Sequence, residues 1–403
     1  MIKINAITRS VNLDPREAQF YADPYPIYRR LQVECPVFKW EQYGHWCFSR
    51  YEDVNALLRD RRFGRQILHV ASREELGWPD IAEHLRVFTN HEQHSLLELE
   101  PPVHTRLRGL ISRAFLSRQI ERLRPFLLNL ANGLVDQFEA QDEVELLTAY
   151  ATPIPVQVIC HLLGAPADMA DQFLAWSHDH VGMYMAKRDR SAEDKAVKAV
   201  SEFSAYMRGL IAERRRDLKD DLLSELIRAE AEGQKLSEDE LVTTAILILN
   251  AGHEATVHAL GNGIKAMLER GLAGPITPEL VDEILRFDPP LHMFTRYALE
   301  DIEFGGLKLK KGDTVGLMLG AANHDAAKFA SPEIFDPTRA PNPHLSFGAG
   351  IHFCIGAPLA RLEMLVALEV LFRRLPHLRL TETPRYKDVY HFHGLEKLMV
   401  ASS

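Results

Sequence analysis

The sequence predicts a mainly α protein with small β-sheets. Three observations carry that reading. Residues 241–270 keep an apolar helical character over roughly thirty residues, about 45 Å at the usual rise. Apolar residues also recur at helical spacing over 123–146, 153–163, 173–210, 279–287 and 359–371. Short aromatic-rich or alternating runs are confined to about 36–50, 294–318 and a hairpin near the C-terminus, and the remainder reads as helix and loop.

In chain order, Asp23 to Leu31 places prolines where a first helical turn tolerates them. Val37-Phe38-Lys39-Trp40 and Trp46-Cys47-Phe48-Ser49 flank Gly44 and read as a hairpin; Arg50-Tyr51-Glu52-Asp53 opens the next helix. From Gln66 to Glu100 the pattern weakens around Gly77, Trp78 and Pro79, as in a lid or an ordinary surface excursion. Pro101 and Pro102 then stop the chain, and the helix after them sets His104 and Arg108 at i and i+4, a fork for a carboxylate. Arg106 and Arg113 share another face and are expected to point outward, as a solvated surface or a docking surface for an acidic electron carrier.

Pro153 to Gly164 is an apolar helix closed by glycine. Within 173–210, Trp176, His178, His180, Met183, Tyr184 and Met185 form a stripe that suits either a pocket ceiling or plain core. Asp221 starts another helix, and Leu236-Ser237-Glu238-Asp239-Glu240 gives the long helix a cap and an acidic first turn. Inside that helix lies Asn250-Ala251-Gly252-His253-Glu254-Ala255-Thr256. A glycine and an acid there contradict local propensity, which marks a candidate site.

Glu283 and Arg286, at i and i+3, face the same way. His292 to Arg296 runs into a strand, Lys308 to Asp313 reads as a hairpin turn, and His391 to Leu395 as a C-terminal turn. Finally Cys354 sits in a glycine-dense loop before the 359–371 helix. A thiolate there would face the positive end of a helix dipole, which suits an anionic metal ligand; the alternative is a buried structural cysteine.

The run Phe347-Gly348-Ala349-Gly350-Ile351-His352-Phe353-Cys354-Ile355-Gly356 resembles, without a departure, the heme-binding signature of the cytochrome P450 family in its soluble bacterial form. The other motifs follow in the family's order along essentially the whole chain. The resemblance implies a single domain over 1–403, a triangular helical prism enclosing heme b, with Cys354 as the axial thiolate. It further implies Phe347 packed near the sulfur, backbone close to the porphyrin at Gly348, Gly350 and Gly356, and propionates held by His104, Arg108, Arg296 and His352. Glu283 and Arg286 look like the family's buried structural pair, with Arg339 as its third member.

In Gly252-x-Glu254 the family places room for O2 and a proton relay, but its usual threonine is Ala255 here. Three repairs are conceivable: Thr256, water held by Glu254 and Asn250, or a substrate hydroxyl. The rotation per residue argues against Thr256, and water with substrate assistance is favoured. The reaction implied is monooxygenation of a small to medium hydrophobic molecule, in a pocket guessed from Ile248, Ala251, His292, Phe294 and Phe392. Electrons would come from NAD(P)H through a reductase and a ferredoxin-type protein docking at Arg106 and Arg113. Rival readings are other heme-thiolate chemistry (peroxygenation, desaturation or coupling) and a non-catalytic heme or ligand-binding protein.

A net charge of -9 argues against nucleic acid as the main partner. The first ten residues hold no run apolar enough for a signal or anchor, so no membrane partner and a cytoplasmic location are expected. Cys35, Cys47 and Cys160 show no metal-type spacing and read as packing residues.

Overall fold

The computed structural model describes residues 2–184, 188–231 and 236–402. The chain forms two compact units: Met1–Val70, Arg124–Thr152 and Ala255–Ser403 make the first, Ala71–Leu123 and Pro153–Glu254 the second. Helices dominate, and all strands among the described residues belong to the first unit.

Those strands are β1 (Lys3–Asn5), β2 (Ser10–Asn12), β3 (Val37–Trp40), β4 (His45–Phe48), β5 (Phe63–Gly64), β6 (Val144–Glu145), β7 (Phe294–Ala298), β8 (Ile302–Phe304), β9 (Leu307–Leu309), β10 (Thr314–Leu317), β11 (Arg379–Leu380), β12 (Arg385–Tyr386), β13 (Leu395–Lys397) and β14 (Met399–Ala401). The largest sheet has the order β1-β2-β3-β4-β10-β7-β5. Its centre is the expected hairpin. Phe38 and Trp40 point inward while Lys39 points out, Gly44 turns at φ +73, and Val37 pairs with Phe48. β10 enters parallel to β4, setting Leu317 opposite Phe48, and carries β7 antiparallel on its other side. Phe48, Val315 and Leu317 are fully buried there, so the sheet fixes the strand that bears Arg296.

β1 and β2 were not expected. They are three residues each, and in them only Val11 is fully buried, too little to show an alternation. The expected 308–313 hairpin is also corrected. β8 and β9 pair with each other about Gly305 and Gly306, both at positive φ, while β10 leaves to join β4 and β7. Residues 310–313 still turn, held by the Lys310 N–H donating to Asp313 Oδ2 at 2.8 Å.

The remaining first-unit helices follow their caps. The Tyr51 N–H donates to Asp325 Oδ2 at 2.8 Å, starting Tyr51–Arg59, and Thr277 accepts from the Leu280 N–H at the start of Pro278–Phe287. The helix expected over 123–146 stops at Phe138, because Glu139 to Glu143 offers only the small, exposed Ala140 before β6. Ala357–Arg374 has Pro358 in its first turn and buries most of its length.

In the second unit, Ser237 and Glu240 form a reciprocal capping box: the Glu240 N–H donates to Ser237 Oγ, and the Ser237 N–H to Glu240 Oε2. Gly164, at φ +69, closes Pro153–Leu163. The stretch expected as one helix over 173–210 divides into Ala170–Val181 and Arg190–Arg216, the second capped by Asp189. Met185 of its stripe lies outside the described residues. Trp176 and Met183 are core: Trp176 packs on Phe173 and Phe203, Met183 among Phe88, Ala196 and Val200. The weakly patterned 66–100 segment contains a helix, Arg86–Glu92. Among the described residues no helix is long and apolar enough to cross a membrane.

Candidate active site

In the first unit, the loop before Ala357–Arg374 holds Cys354 by its backbone: the Cys354 N–H donates to Phe347 O at 2.9 Å, and Cys354 O accepts from Ala357 N–H at 3.4 Å. Cys354 is half-buried, whereas Cys35, Cys47 and Cys160 are fully buried. Burial pushes the Cys47 and Cys160 thiols up, Cys160 to about 11, which keeps them protonated and inert at neutral pH.

The three loop glycines serve different needs. Gly348 has φ +67, and a Cβ there would meet the Phe294 ring at 3.5 Å, so the loop lies against β7. Phe294 and Arg296 alternate onto one face of that strand, and the Arg296 guanidinium stands 6.0 Å from the Phe294 ring centroid. Gly350 has φ +71 and presses its α-carbon onto the Leu58 carbonyl, which a side chain would overlap. A Cβ on Gly356 would touch only Cys354 Sγ, at 3.9 Å.

Phe347 is held by two side chains. The Arg361 guanidinium covers its ring at 4.7 Å and His344 stands 5.8 Å away. Asp282 ties both, accepting from Arg361 Nε at 2.7 Å and lying 3.3 Å from His344 Nε2. Burial raises the Asp282 carboxyl, yet His344 and Arg361 hold it below the usual carboxylate range. Sequence reasoning missed this set. The only available signal was Arg361, seven residues beyond the cysteine, in the second turn of Ala357–Arg374.

Glu283 and Arg286 meet in two 2.8 Å bonds with both side chains fully buried, and Arg339 Nε donates to Glu283 Oε2 at 3.1 Å. Arg286 also donates to the carbonyls of Asn323, Pro332 and Ile334. Asn323 in turn accepts from the Leu345 N–H and donates to Ser346 Oγ. The ion pair is thereby linked by hydrogen bonds to the residues just before Phe347.

His292 was expected to line a pocket. It is completely buried instead, with Nδ1 2.6 Å from the Tyr28 hydroxyl and its ring against His393. That burial holds it well below the ordinary imidazole range. Next to it Asp288 accepts from Tyr25 and Tyr386 and faces His393 Nε2, a polar core rather than a wall. Phe294 and Phe392 are half-buried, Phe392 bridging to Leu291. His352 is half-buried, and Arg296 is nearly inaccessible, bonded through Nη1 to Thr295 O.

In the second unit, Val103–Ala114 buries His104 and half-buries Arg108 one turn on. Arg113 and Arg106 are both exposed, as expected, and the Arg106 guanidinium also pairs with Glu240. Within the Glu238–Leu268 helix, Leu247, Ala251 and Ala255, at i, i+4 and i+8, are less covered than Ile248, Asn250, His253 and Thr256. The guessed Ile248 therefore lies off this face, which Leu247 occupies. Gly252, expected to leave room for O2, turns its α-carbon to Ile159 of Pro153–Leu163; a Cβ would overlap Ile159 Cδ1. Burial lowers His253 to about 4, its Nδ1 2.8 Å from Leu249 O.

A soft sulfur ligand in an accessible loop, with a nearly buried guanidinium on the adjacent strand and imidazoles nearby in sequence, fits a metal-centred ring bearing carboxylates. The comparisons agree. The family model described as Cytochrome P450 matches residues 77–270 and 274–389. The chain is 35% identical over 406 residues to the polyketide biosynthesis cytochrome P450 PksS of Bacillus subtilis (strain 168), covering 96% of this chain and 98% of that protein. It is 38% identical over 367 residues to mycinamicin IV hydroxylase/epoxidase of Micromonospora griseorubida, 88% of each. Among solved structures, P450BioI in complex with an acyl carrier protein ligated to hexadec-9Z-enoic acid matches with TM-score 0.88 at 32% identity, over 95% of this chain and 99% of that one.

Proposed function

The chain belongs to the cytochrome P450 family and is a heme b monooxygenase; on that premise we propose that it oxidises a small to medium hydrophobic molecule carrying a hydroxyl or carboxyl group, as one catalytic domain in the cytoplasm. Electrons come from NAD(P)H through a reductase and a ferredoxin-type donor. The observation that carries the reading is Cys354, the one half-open thiol, held by its own backbone in front of Ala357–Arg374. The name of the relative PksS, a polyketide biosynthesis cytochrome P450, supports a polyketide-like substrate class.

Held at Cys354, heme would supply the activation of O2, one atom of which enters the C–H bond while the other leaves as water with two electrons from the donor chain and two protons. The chain does the rest. Arg296, His352, His104 and Arg108 would hold the propionate carboxylates by charge-assisted hydrogen bonds. Phe347 and Gly356 shield the sulfur, and Asp282, through Arg361 and His344, keeps Phe347 in place. Glu283, Arg286 and Arg339 brace the approach to the loop. Leu247 and Ala251 offer the accessible helix face to substrate.

Proton supply rests on Glu254, with Ala255 bringing no hydroxyl. Thr256 is buried on another face of the helix and does not replace it. One turn before Glu254, Asn250 Oδ1 is buried with no hydrogen-bond partner, an acceptor that an ordered water satisfies. Water between Asn250 and the Glu254 carboxylate then carries the proton. For electron delivery, exposed Arg113 is the docking residue, since Arg106 is engaged by Glu240.

The test is product formation with NAD(P)H, reductase and ferredoxin under labelled O2, set against peroxide alone. One labelled oxygen in the product, dependent on the electron donors, is expected. Equal turnover with peroxide alone points to a peroxygenase, and ligand-induced spectral shifts with no product under any donor point to a binding protein.

A further inference from the structure

The second unit contains a constellation that the monooxygenase reaction does not use. His91 and Glu92 end the helix Arg86–Glu92, and His180 lies in the last turn of Ala170–Val181. One ligand atom from each of the three lies within 4.8 Å of the other two. His91 and His180 are more than nine-tenths buried, and Glu92 is mostly covered.

The surroundings prepare these groups as ligands. Thr243 Oγ1 stands 3.3 Å from His91 Nδ1 and 3.5 Å from His91 O. Its single proton goes to the carbonyl, so the Nδ1 hydrogen is the one it receives, and Nε2 keeps its lone pair. The Tyr184 hydroxyl donates to Glu92 Oε2 at 2.6 Å and leaves Oε1 toward His180, whose Nε2 is 3.2 Å away. Metal-ligating imidazoles and carboxylates are oriented by outer hydrogen bonds of this kind.

We propose that His91, Glu92 and His180 form a binding site for a Zn2+-like divalent transition metal, independent of the heme. Two imidazole nitrogens and one carboxylate oxygen match the borderline-soft preference of Zn2+ and leave a fourth position for water, whereas Mg2+ and Ca2+ require oxygen ligands throughout. Tetrahedral bonds of about 2.1 Å put ligand atoms about 3.4 Å apart, so the 4.8 Å cluster closes by side-chain rotation. The bound ion ties the end of the 86–92 helix to the end of the 170–181 helix.

The experiment uses full-length, heme-loaded, chelator-stripped protein titrated calorimetrically with ZnCl2, with MgCl2 and CaCl2 as separate titrants. One Zn2+ per chain is expected, with no response to Mg2+ or Ca2+ at the same concentrations. His91→Ala and His180→Ala each weaken that site by about 10- to 100-fold or more, and Zn2+ slows amide exchange in 86–92 and 176–184 of the unaltered chain only. X-ray absorption at the zinc edge of the unaltered protein, which depends on no variant folding, should show two imidazoles. Absence of a stoichiometric site, binding unchanged in both histidine variants, or a zinc shell without imidazole overturns the proposal.

Discussion

Ile159 of the Pro153–Leu163 helix packs directly onto the α-carbon of Gly252, where any β-carbon would overlap its Cδ1. The glycine is thus required by the approach of two helices, whatever passes along the opposite face. Gly252→Ala should cost about 1 to 3 kcal/mol, as overpacking does in a closed interior. Denaturant unfolding of the single variant and of Gly252→Ala with Ile159→Ala checks this. The double variant should recover part of the loss, and equal losses in both would show that contact with Ile159 is not the cause.

Glu283 neutralises two arginines at once, Arg286 fully buried and Arg339 nearly so. Glu283→Gln keeps the shape and removes the charge, so it should cost about 3 to 5 kcal/mol and loosen the Leu345–Ser346 approach held through Asn323. The readouts are thermal midpoint and heme retained through gel filtration. Arg286→Lys should also fail, because a lysine cannot make two parallel bonds to a carboxylate.

Ala255→Thr should leave turnover equal or improved on simple substrates, with less peroxide released per NAD(P)H consumed. Thr256→Val should leave that coupling ratio unchanged, since the Thr256 side chain is buried away from the Ala251 and Ala255 face. Product and peroxide yields measured together decide it. A complete loss of activity in Ala255→Thr, or uncoupling in Thr256→Val, would contradict the water-based relay.

Much of the fold is legible in the amino-acid sequence wherever the signal is local. The hairpin about Gly44 shows itself in its alternation, the long helix in its apolar length, and the Ser237–Glu240 cap in residue types three apart. Glu283 and Arg286 are visible for the same reason. What escapes depends on distant partners. Arg106 is solvent-exposed as its pattern suggests, but its pairing with Glu240, 134 residues later, is not visible locally. His292 looks like a polar handle until Tyr28 and His393 surround it. Gly252 advertises a special backbone position, but only Ile159 says which face needs it. The grip of Asp282, His344 and Arg361 on Phe347 is assembled from separate segments, so no single window of sequence displays it.

Acid stability should follow the buried histidines. Burial holds His45 and His253 down at about 4 and His324 at about 3. The unfolded chain binds their protons near pH 6.5 while the folded chain does not, so stability falls as pH drops from about 6.5 toward 4, by on the order of 1.4 kcal/mol per pH unit for each such group. Urea midpoints at several pH values in that window should show the slope, and His253→Asn should reduce it. A midpoint independent of pH between 6.5 and 4 would contradict the assignment.

The most direct test of the central claim is the absorption spectrum of the reduced protein under carbon monoxide. The red-shifted Soret band of thiolate ligation is expected, and Cys354→Ser should abolish it while the three buried cysteines, each changed to Ala, leave it in place. A wild-type band at the shorter wavelength of imidazole ligation, or a thiolate band surviving in Cys354→Ser, would contradict Cys354 as the iron's ligand.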